Sequence, residues 1–385
     1  MKIKELEKEF VKLYGEGEVR KFHSPGRINL IGEHIDYNGG YVFPCALDFG
    51  TFGCVRQRKD NKINLATTDF ELKVSADVNS IEFKEEDDWA NYPKGVIKII
   101  KDKGYNVGGM DILISGNIPN GAGLSSSASL ELLTGVIVNE LFNEGKIDRV
   151  ELVKIGQQAE NEFVGVNCGI MDQFAIGMGK EEKAILLNCG TLEYSYADVK
   201  LDDYCLVIMN TNKRRALNES KYNERRSECD EAIEKINSVR KIKELCELTP
   251  EEFDKVKGVL DKENVRKRVE HAVYENERVK QAYECLNKGQ LEKFGQLLTG
   301  SHNSLRDLYE VTGKELDAIV AAALNAEGCI GARMTGAGFG GCAIALVKKA
   351  SVETFEKQVA KEYTKVTGYE PSFYMSGIGE GTCEI

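Results

Sequence analysis

The chain has 385 residues, 42% of them hydrophobic and 29% charged, with a net charge of −11. That is enough chain, of ordinary globular composition, for two or three domains with a substantial core. The acidic balance argues against nucleic acid or an anionic membrane as main partner, and the absence of any apolar run of about 18 residues excludes a membrane-spanning helix.

The opening residues 2–14 set Ile3, Leu6, Phe10, Leu13 and Tyr14 on one helical face, which reads as an amphipathic helix and not as a signal peptide. Residues 24–38, SPGRINLIGEHIDYN, then crowd Arg27, Asn29, Glu33, His34 and Asp36 between a proline and glycines. We read this as a functional loop. Carboxylates accept from the hydroxyls of a polyol and histidine donates or accepts, although a solvated loop with a local Arg–Glu ion pair accounts for the same residues. Residues 41–46, 51–56, 63–67 and 71–75 alternate apolar and polar and predict strands of a mixed or antiparallel sheet. A short helix over 93–103 follows, with Pro93 in its first turn.

Residues 110–114 form an apolar run that predicts a buried strand. It leads into Pro119-Asn120-Gly121-Ala122-Gly123-Leu124-Ser125-Ser126-Ser127-Ala128-Ser129, after which Leu130, Leu133, Val136, Ile137 and Leu141 recur at helical spacing. Glycine allows close backbone approach, and the unpartnered N–H groups and dipole at a helix start favour an anion, usually phosphate. The hydroxyls add donors and a ligand for magnesium. An ordinary capped helix, with Ser127, Ser129 and Glu131 as the capping residues, is the alternative. The loop is no Walker A, since no Gly-Lys-Ser/Thr closes it.

A second helix is predicted over 150–163, and Asp172, just after the Gly169 turn, reads on its own as a helix N-cap. Strand-like runs cover 184–187, 192–196 and 204–209, and we place a domain boundary near 195, giving domains 1–195 and 196–385. A long charged helix over 219–242 carries Lys221-Tyr222-Asn223-Glu224-Arg225-Arg226, by itself an ordinary basic face. A polar connector with a short helix (247–265) and helices over 265–287, 291–305 and 312–324 come next. Residues 336–341, GAGFGG, fit Gly-x-Gly-x-x-Gly, but the strand-like run 342–347 follows where a dinucleotide site needs a helix. A helix over 352–364 and a strand over 372–376 close the chain. The eleven cysteines are scattered without a Cys-x-x-Cys pair, and the four histidines do not cluster. We expect reduced packing thiols in a cytoplasmic protein, and neither a disulfide framework nor a zinc site.

The Pro119–Ala128 string, with Gly123, Leu124 and Ser125-Ser126-Ser127 in register, resembles the second motif of the GHMP small-molecule kinases. Gly26-Arg27-Ile28-Asn29-Leu30-Ile31-Gly32-Glu33-His34-Ile35-Asp36-Tyr37-Asn38 resembles the signature of the galactokinase branch of that family, departing where Ile35 replaces the usual threonine. The run 160–174, the Tyr222-Asn-x-Arg-Arg string and 301–307 also look like galactokinase sequence, and 336–341 resembles the third GHMP motif. The resemblance implies an α+β fold of two domains: an N-terminal mixed-sheet domain like domain 2 of ribosomal protein S5, and a C-terminal ferredoxin-like α/β sandwich. It implies ATP and galactose as substrates and galactose 1-phosphate as product. It makes Asp172 and Arg27 the catalytic pair. Glu33, His34, Asp36, Gly169 and Tyr222 become sugar contacts. Gly121, Ala122, Gly123, Leu124, Ser125, Ser126 and Ser127 become the ATP phosphate loop, and Ser127 and Glu160 the Mg2+ ligands. A monomer, or at most a weak homodimer, is expected. A kinase of a related sugar such as N-acetylgalactosamine would keep the same motifs. A non-catalytic sugar- and ATP-binding regulator is expected to lack the serine–alanine stretch or Asp172.

Overall fold

The computed structural model describes residues 3–119, 122–213 and 218–385. Its strands, in chain order, are β1 (Arg20–Asn29), β2 (Tyr41–Val42), β3 (Pro44–Gln57), β4 (Lys62–Thr67), β5 (Val74–Asp77) and β6 (Met110–Gly116). Then come β7 (Lys183–Asn188), β8 (Tyr194–Asp198), β9 (Tyr204–Asn210), β10 (Cys329–Met334), β11 (Cys342–Lys348), β12 (Ser372–Met375) and β13 (Cys383–Glu384). The helices are α1 (Ile3–Tyr14), α2 (Asn91–Asp102), α3 (Ser126–Phe142), α4 (Arg149–Gln158), α5 (Met171–Met178) and α6 (Asn218–Ile236). They continue with α7 (Pro250–Val256), α8 (Glu263–Asn287), α9 (Leu291–Ser304), α10 (Gly313–Leu324) and α11 (Val352–Thr367).

The β-branched runs of the first half pair into a six-stranded sheet ordered β13-β1-β3-β6-β4-β5. It is mixed, as the alternation suggested: β4 runs parallel to β6, and the other neighbours are antiparallel. The last strand returns to this sheet, where Phe22 faces Glu384. A second sheet, β10-β11-β9-β12, is antiparallel throughout. Helices α9 and α10 pack on β10, and α10 and α11 on β11, so their apolar stripes and the sheet share one core. A small sheet, β2-β7-β8, completes the set. All eleven cysteines are free thiols. Among the described residues no helix is long and apolar enough to cross a membrane.

Several elements differ from the sequence reading. Residues 24–29, expected in a loop, belong to β1, because a bulge between Pro25 and Arg27 absorbs the proline and glycine that argued against a strand. Helix α3 is buried almost all round from Ala128 to Asn139, not on one face, since it runs through the core against β1, β3, α2, α4 and α5. The helix expected over 150–163 ends at Gln158 and continues as a π-turn, Ala159–Val164. The strand β10 was not anticipated. It forms a hairpin with β11, Met334 facing Ala343, and the glycine-rich turn is the tip of that hairpin.

Candidate active site

Segments distant in sequence converge on one cavity of about 710 Å³. Its floor is built from β1 and α5. The bulge turns Arg27 inward, where it is 4% exposed. Its Nε donates to Asp172 Oδ1 (2.7 Å) and its Nη2 to Oδ2 (2.6 Å), a two-pronged charge-assisted pair. Burial alone would disfavour the guanidinium charge, but the Asp172 carboxylate overrides it and raises Arg27 above its usual value. Asp172 is not the N-cap expected of it in isolation. Ile170 holds that position, and Asp172 lies in the first turn of α5 with its carboxylate turned to the cavity.

The serine-rich loop reaches the same carboxylate. Ser125 Oγ donates to Asp172 Oδ2. Ser125 sits at the N-cap of α3 in a left-handed conformation, φ +64°, and its side chain caps nothing. Strain of this kind persists where the surroundings impose it, often at functional sites. The first N–H groups of α3 therefore have no side-chain cap from that residue. The capping alternative is overturned at two further residues: Ser129 Oγ donates to Ser24 O (2.8 Å) and lies 2.9 Å from the Thr51 hydroxyl, from which it can accept, and Glu131 is buried with its carboxylate on Gln173. The loop is fastened to β1 by Arg27 N to Leu124 O (3.1 Å) and Arg27 Nη1 to Gly123 O (2.8 Å).

Beside the floor lies a buried acidic cluster. Gln173 Nε2 donates both to Glu160 Oε2 (2.8 Å) and to Glu131 Oε2 (2.9 Å). Glu160 sits in the π-turn, and the Ser127 hydroxyl bonds to it. Burial, then the Asp172 charge, pushes Glu160 upward. Burial, then Glu160, pushes Glu131 well up. Glu131 Oε1 and Gln173 Oε1 are buried without a hydrogen-bond partner. Two carboxylates short of positive charge, a hydroxyl and unpartnered oxygens make a donor set for a hard cation.

The opposite wall carries the polar residues of 33–36. Glu33, 1% exposed, accepts from Gly336 N (2.7 Å), Thr335 Oγ1 (3.1 Å), Arg333 Nη1 (3.4 Å) and Asn29 Nδ2 (3.1 Å). His34 is neutral, lowered to about 3 by burial and then by the His271 ring. Its Nε2 lies 3.1 Å from Ala337 O, which can only accept, so that nitrogen carries the hydrogen and Nδ1 accepts from the Tyr37 hydroxyl (2.9 Å). Asp36 is raised to about 7 by burial and then by the charges of Asp172 and Glu33. A Cβ on Gly169 would stand 1.8 Å from Asp36 Oδ2, so glycine alone lets that carboxylate lie against the 165–169 turn. The half-buried Tyr222 packs its ring 5.7 Å from His34 and 5.5 Å from Tyr37. Burial and then Asp36 keep its hydroxyl protonated.

Arg27, Glu33, His34, Asp36, Glu160, Gly169, Asp172 and Tyr222 thus all line one cavity. The loop residues Ala122, Gly123, Leu124, Ser125, Ser126 and Ser127 are not among its lining residues and join it through the Ser125 and Gly123 contacts. Gly121 lies outside the described residues. Sequence reasoning missed Gln173, Tyr37 and the grip of Thr335 and Arg333 on Glu33. Tyr37 and Gln173 directly follow residues it singled out, which was the available signal.

Comparison with known proteins fixes the class first. Residues 91–180 match the GHMP kinases N terminal domain and residues 282–365 the GHMP kinases C terminal domain, while 8–57 match the galactokinase galactose-binding signature. The mevalonate kinase of Methanococcus jannaschii, 22% identical, superposes with a TM-score of 0.64 over 95% of this chain and 99% of its own, a likeness of fold. A galactokinase of Clostridium tetani is 65% identical over 100% of this chain and 98% of its own length. One of Ligilactobacillus salivarius is 54% identical over 99% of each. The Lactococcus lactis galactokinase, solved in complex with galactose, superposes with a TM-score of 0.97 at 50% identity over the whole of both chains. The chain belongs to the galactokinase family of GHMP kinases, and its fold is the two-domain α+β fold of that family.

Proposed function

We propose that this chain transfers the terminal phosphoryl group of ATP to the anomeric hydroxyl of galactose, giving galactose 1-phosphate and ADP. The observation that carries the reading is the Arg27–Asp172 pair. It stands between the serine-rich loop and the polar wall of 33–36, touching the first through Ser125 and Gly123. In the proposed reaction Asp172 accepts or orients the proton of the attacking hydroxyl. The new bond forms from that oxygen to phosphorus, and the bond to the leaving ADP oxygen breaks. Arg27 offsets the developing negative charge, and the residues 121–127 and the first N–H groups of α3 receive the phosphates. Such transfer asks chiefly for positioning and charge neutralisation. Glu33, His34, Asp36, Gly169 and Tyr222 hold the sugar. The boundary between the two domains is proposed near 195, and the protein is proposed to act in the cytoplasm as a monomer or weak homodimer.

The cation-deficient cluster fits Mg2+, with Ser127 and Glu160 as its protein ligands. When bound, Mg2+ would neutralise phosphate charge. Glu160→Gln and Ser127→Ala are therefore expected to raise the magnesium concentration for half-maximal rate, each removing one of few protein ligands. Titrations of both variants that overlay the parent curve would put the metal elsewhere.

The decisive experiment is ADP release across a panel of hexoses. Galactose should give the highest kcat/KM by at least about tenfold over glucose, since a site built around a hydroxyl rejects an epimer that misplaces it. No ADP release with any hexose, despite ATP binding, would overturn the reading.

A further inference from the structure

The stretch 301–307 resembled family sequence without any chemistry to attach to it. We propose that residues 301–304, with the facing side of α8, form a clamp on the backbone of the Gly32-Glu33 turn, and that His271, Glu275, Ser301 and Ser304 are positioning residues for sugar binding. The inference rests on the reading of 33–36 as sugar contacts.

His271 and Glu275, four residues apart, share one face of α8, and both are completely buried. Glu275 Oε1 accepts from Gly32 N (3.1 Å) and from the Ser301 hydroxyl. His271 Nε2 lies 3.1 Å from Glu33 O. A carbonyl only accepts, so Nε2 carries the hydrogen and Nδ1 accepts from Ser304 Oγ at 2.8 Å. Ser304 thereby fixes the tautomer that His271 needs. Between the two serines, His302 Nδ1 accepts from Met334 N (3.3 Å), at the end of β10. That strand leads directly to Thr335 and Gly336, which grip the Glu33 carboxylate. His271 and Glu275 of α8, held by Ser304 and Ser301, therefore grip the backbone of Glu33 and Gly32 from behind, while His302 of the same α9 turn braces the hairpin that holds the Glu33 side chain.

The turn needs holding. Gly32 (φ +103°) and His34 (φ +62°) are both left-handed, and a Cβ on Gly32 would meet Tyr41 O at 2.7 Å. A non-glycine residue in that conformation persists only when its surroundings impose it. With the clamp loosened, Glu33, His34 and Asp36 shift as a set. The serine-rich loop does not, because it is tied to β1 by Leu124 and Gly123.

The test compares His271→Leu with His271→Gln, whose amide nitrogen can reach the Glu33 carbonyl. His271→Leu should raise the galactose KM about tenfold, the usual cost of a buried polar group left unpaired, and leave the ATP KM within about threefold. His271→Gln should return the galactose KM to within about threefold of the parent. In an Asp36→Ala background, His271→Leu should add under about twofold, because both act through the same turn. Equal effects on both substrates, equal effects of Leu and Gln, or full additivity would overturn the clamp. If His271→Leu does not fold, Ser304→Ala carries the test: a galactose KM raised about threefold with ATP unchanged supports the clamp, and a parent value overturns it. Asp36→Ala alone separates the two readings. If it leaves galactose kinetics untouched, the sugar assignment has failed; if it acts while His271→Leu does not, only the clamp has.

Discussion

Asp172→Asn is expected to lower kcat by about 10²- to 10⁴-fold, the usual span for loss of a general base, with ATP binding nearly unchanged. The substitution keeps size and shape, so cavity effects are small. It removes one of the two carboxylate oxygens that receive Arg27 Nε and Nη2, and puts an amide NH2 against a guanidinium that can only donate. An amide can neither take the proton of the attacking hydroxyl nor balance the Arg27 charge. ATP binding should survive, because the loop is also tied to β1 through backbone atoms of Leu124 and Gly123. Single-turnover kinetics and nucleotide titration of the folded variant provide the check. Parent-like turnover would remove Asp172 from the chemistry.

The elements that sequence rendered well are those whose own residues decide them. β-branched alternation marked β3 and β4, and the apolar run at β6 preceded a glycine–serine loop opening a helix. The failures come where a neighbour decides. Pro25 and Gly26 read as strand breakers, yet β3 and β13 pair with β1 on its two sides and the bulge absorbs the irregularity. Helix α3 showed an apolar stripe, but its burial on all sides depends on layers supplied by five other elements. The site shows the same division. Arg27 and Asp172 could be named, but not that Ser125 would leave its helix uncapped to reach Asp172. Glu131 looked like capping chemistry because local spacing cannot show that Gln173, 42 residues away, takes its carboxylate inward.

Asp36→Ala should lower kcat/KM for galactose at least about tenfold and leave the ATP KM within about threefold, since one pairing with a charged group is worth roughly 1.5–3 kcal/mol. It should also narrow the gap between galactose and glucose, because the discriminating acceptor is gone. The same carboxylate should weaken the protein without sugar. Burial, then Asp172 and Glu33, raise it from 3.8 to about 7. The folded state therefore binds this proton more tightly than the unfolded chain does. Below about pH 4 both states hold it and the site costs nothing. From there to about pH 7 the unfolded chain ionises first, so stability falls as pH rises, and above 7 the full penalty remains. Asp36→Asn removes the titration, so its melting temperature without sugar should exceed the parent's at pH 8, the difference fading toward pH 4. A site that holds an unfavourable charge for its ligand trades stability for binding in this way. Thermal melts across pH, paired with galactose and ATP kinetics, test both halves. If Asp36→Asn melts below the parent at pH 8, the carboxylate is stabilised there and not strained. If Asp36→Ala is defective chiefly toward ATP, the sugar lies elsewhere.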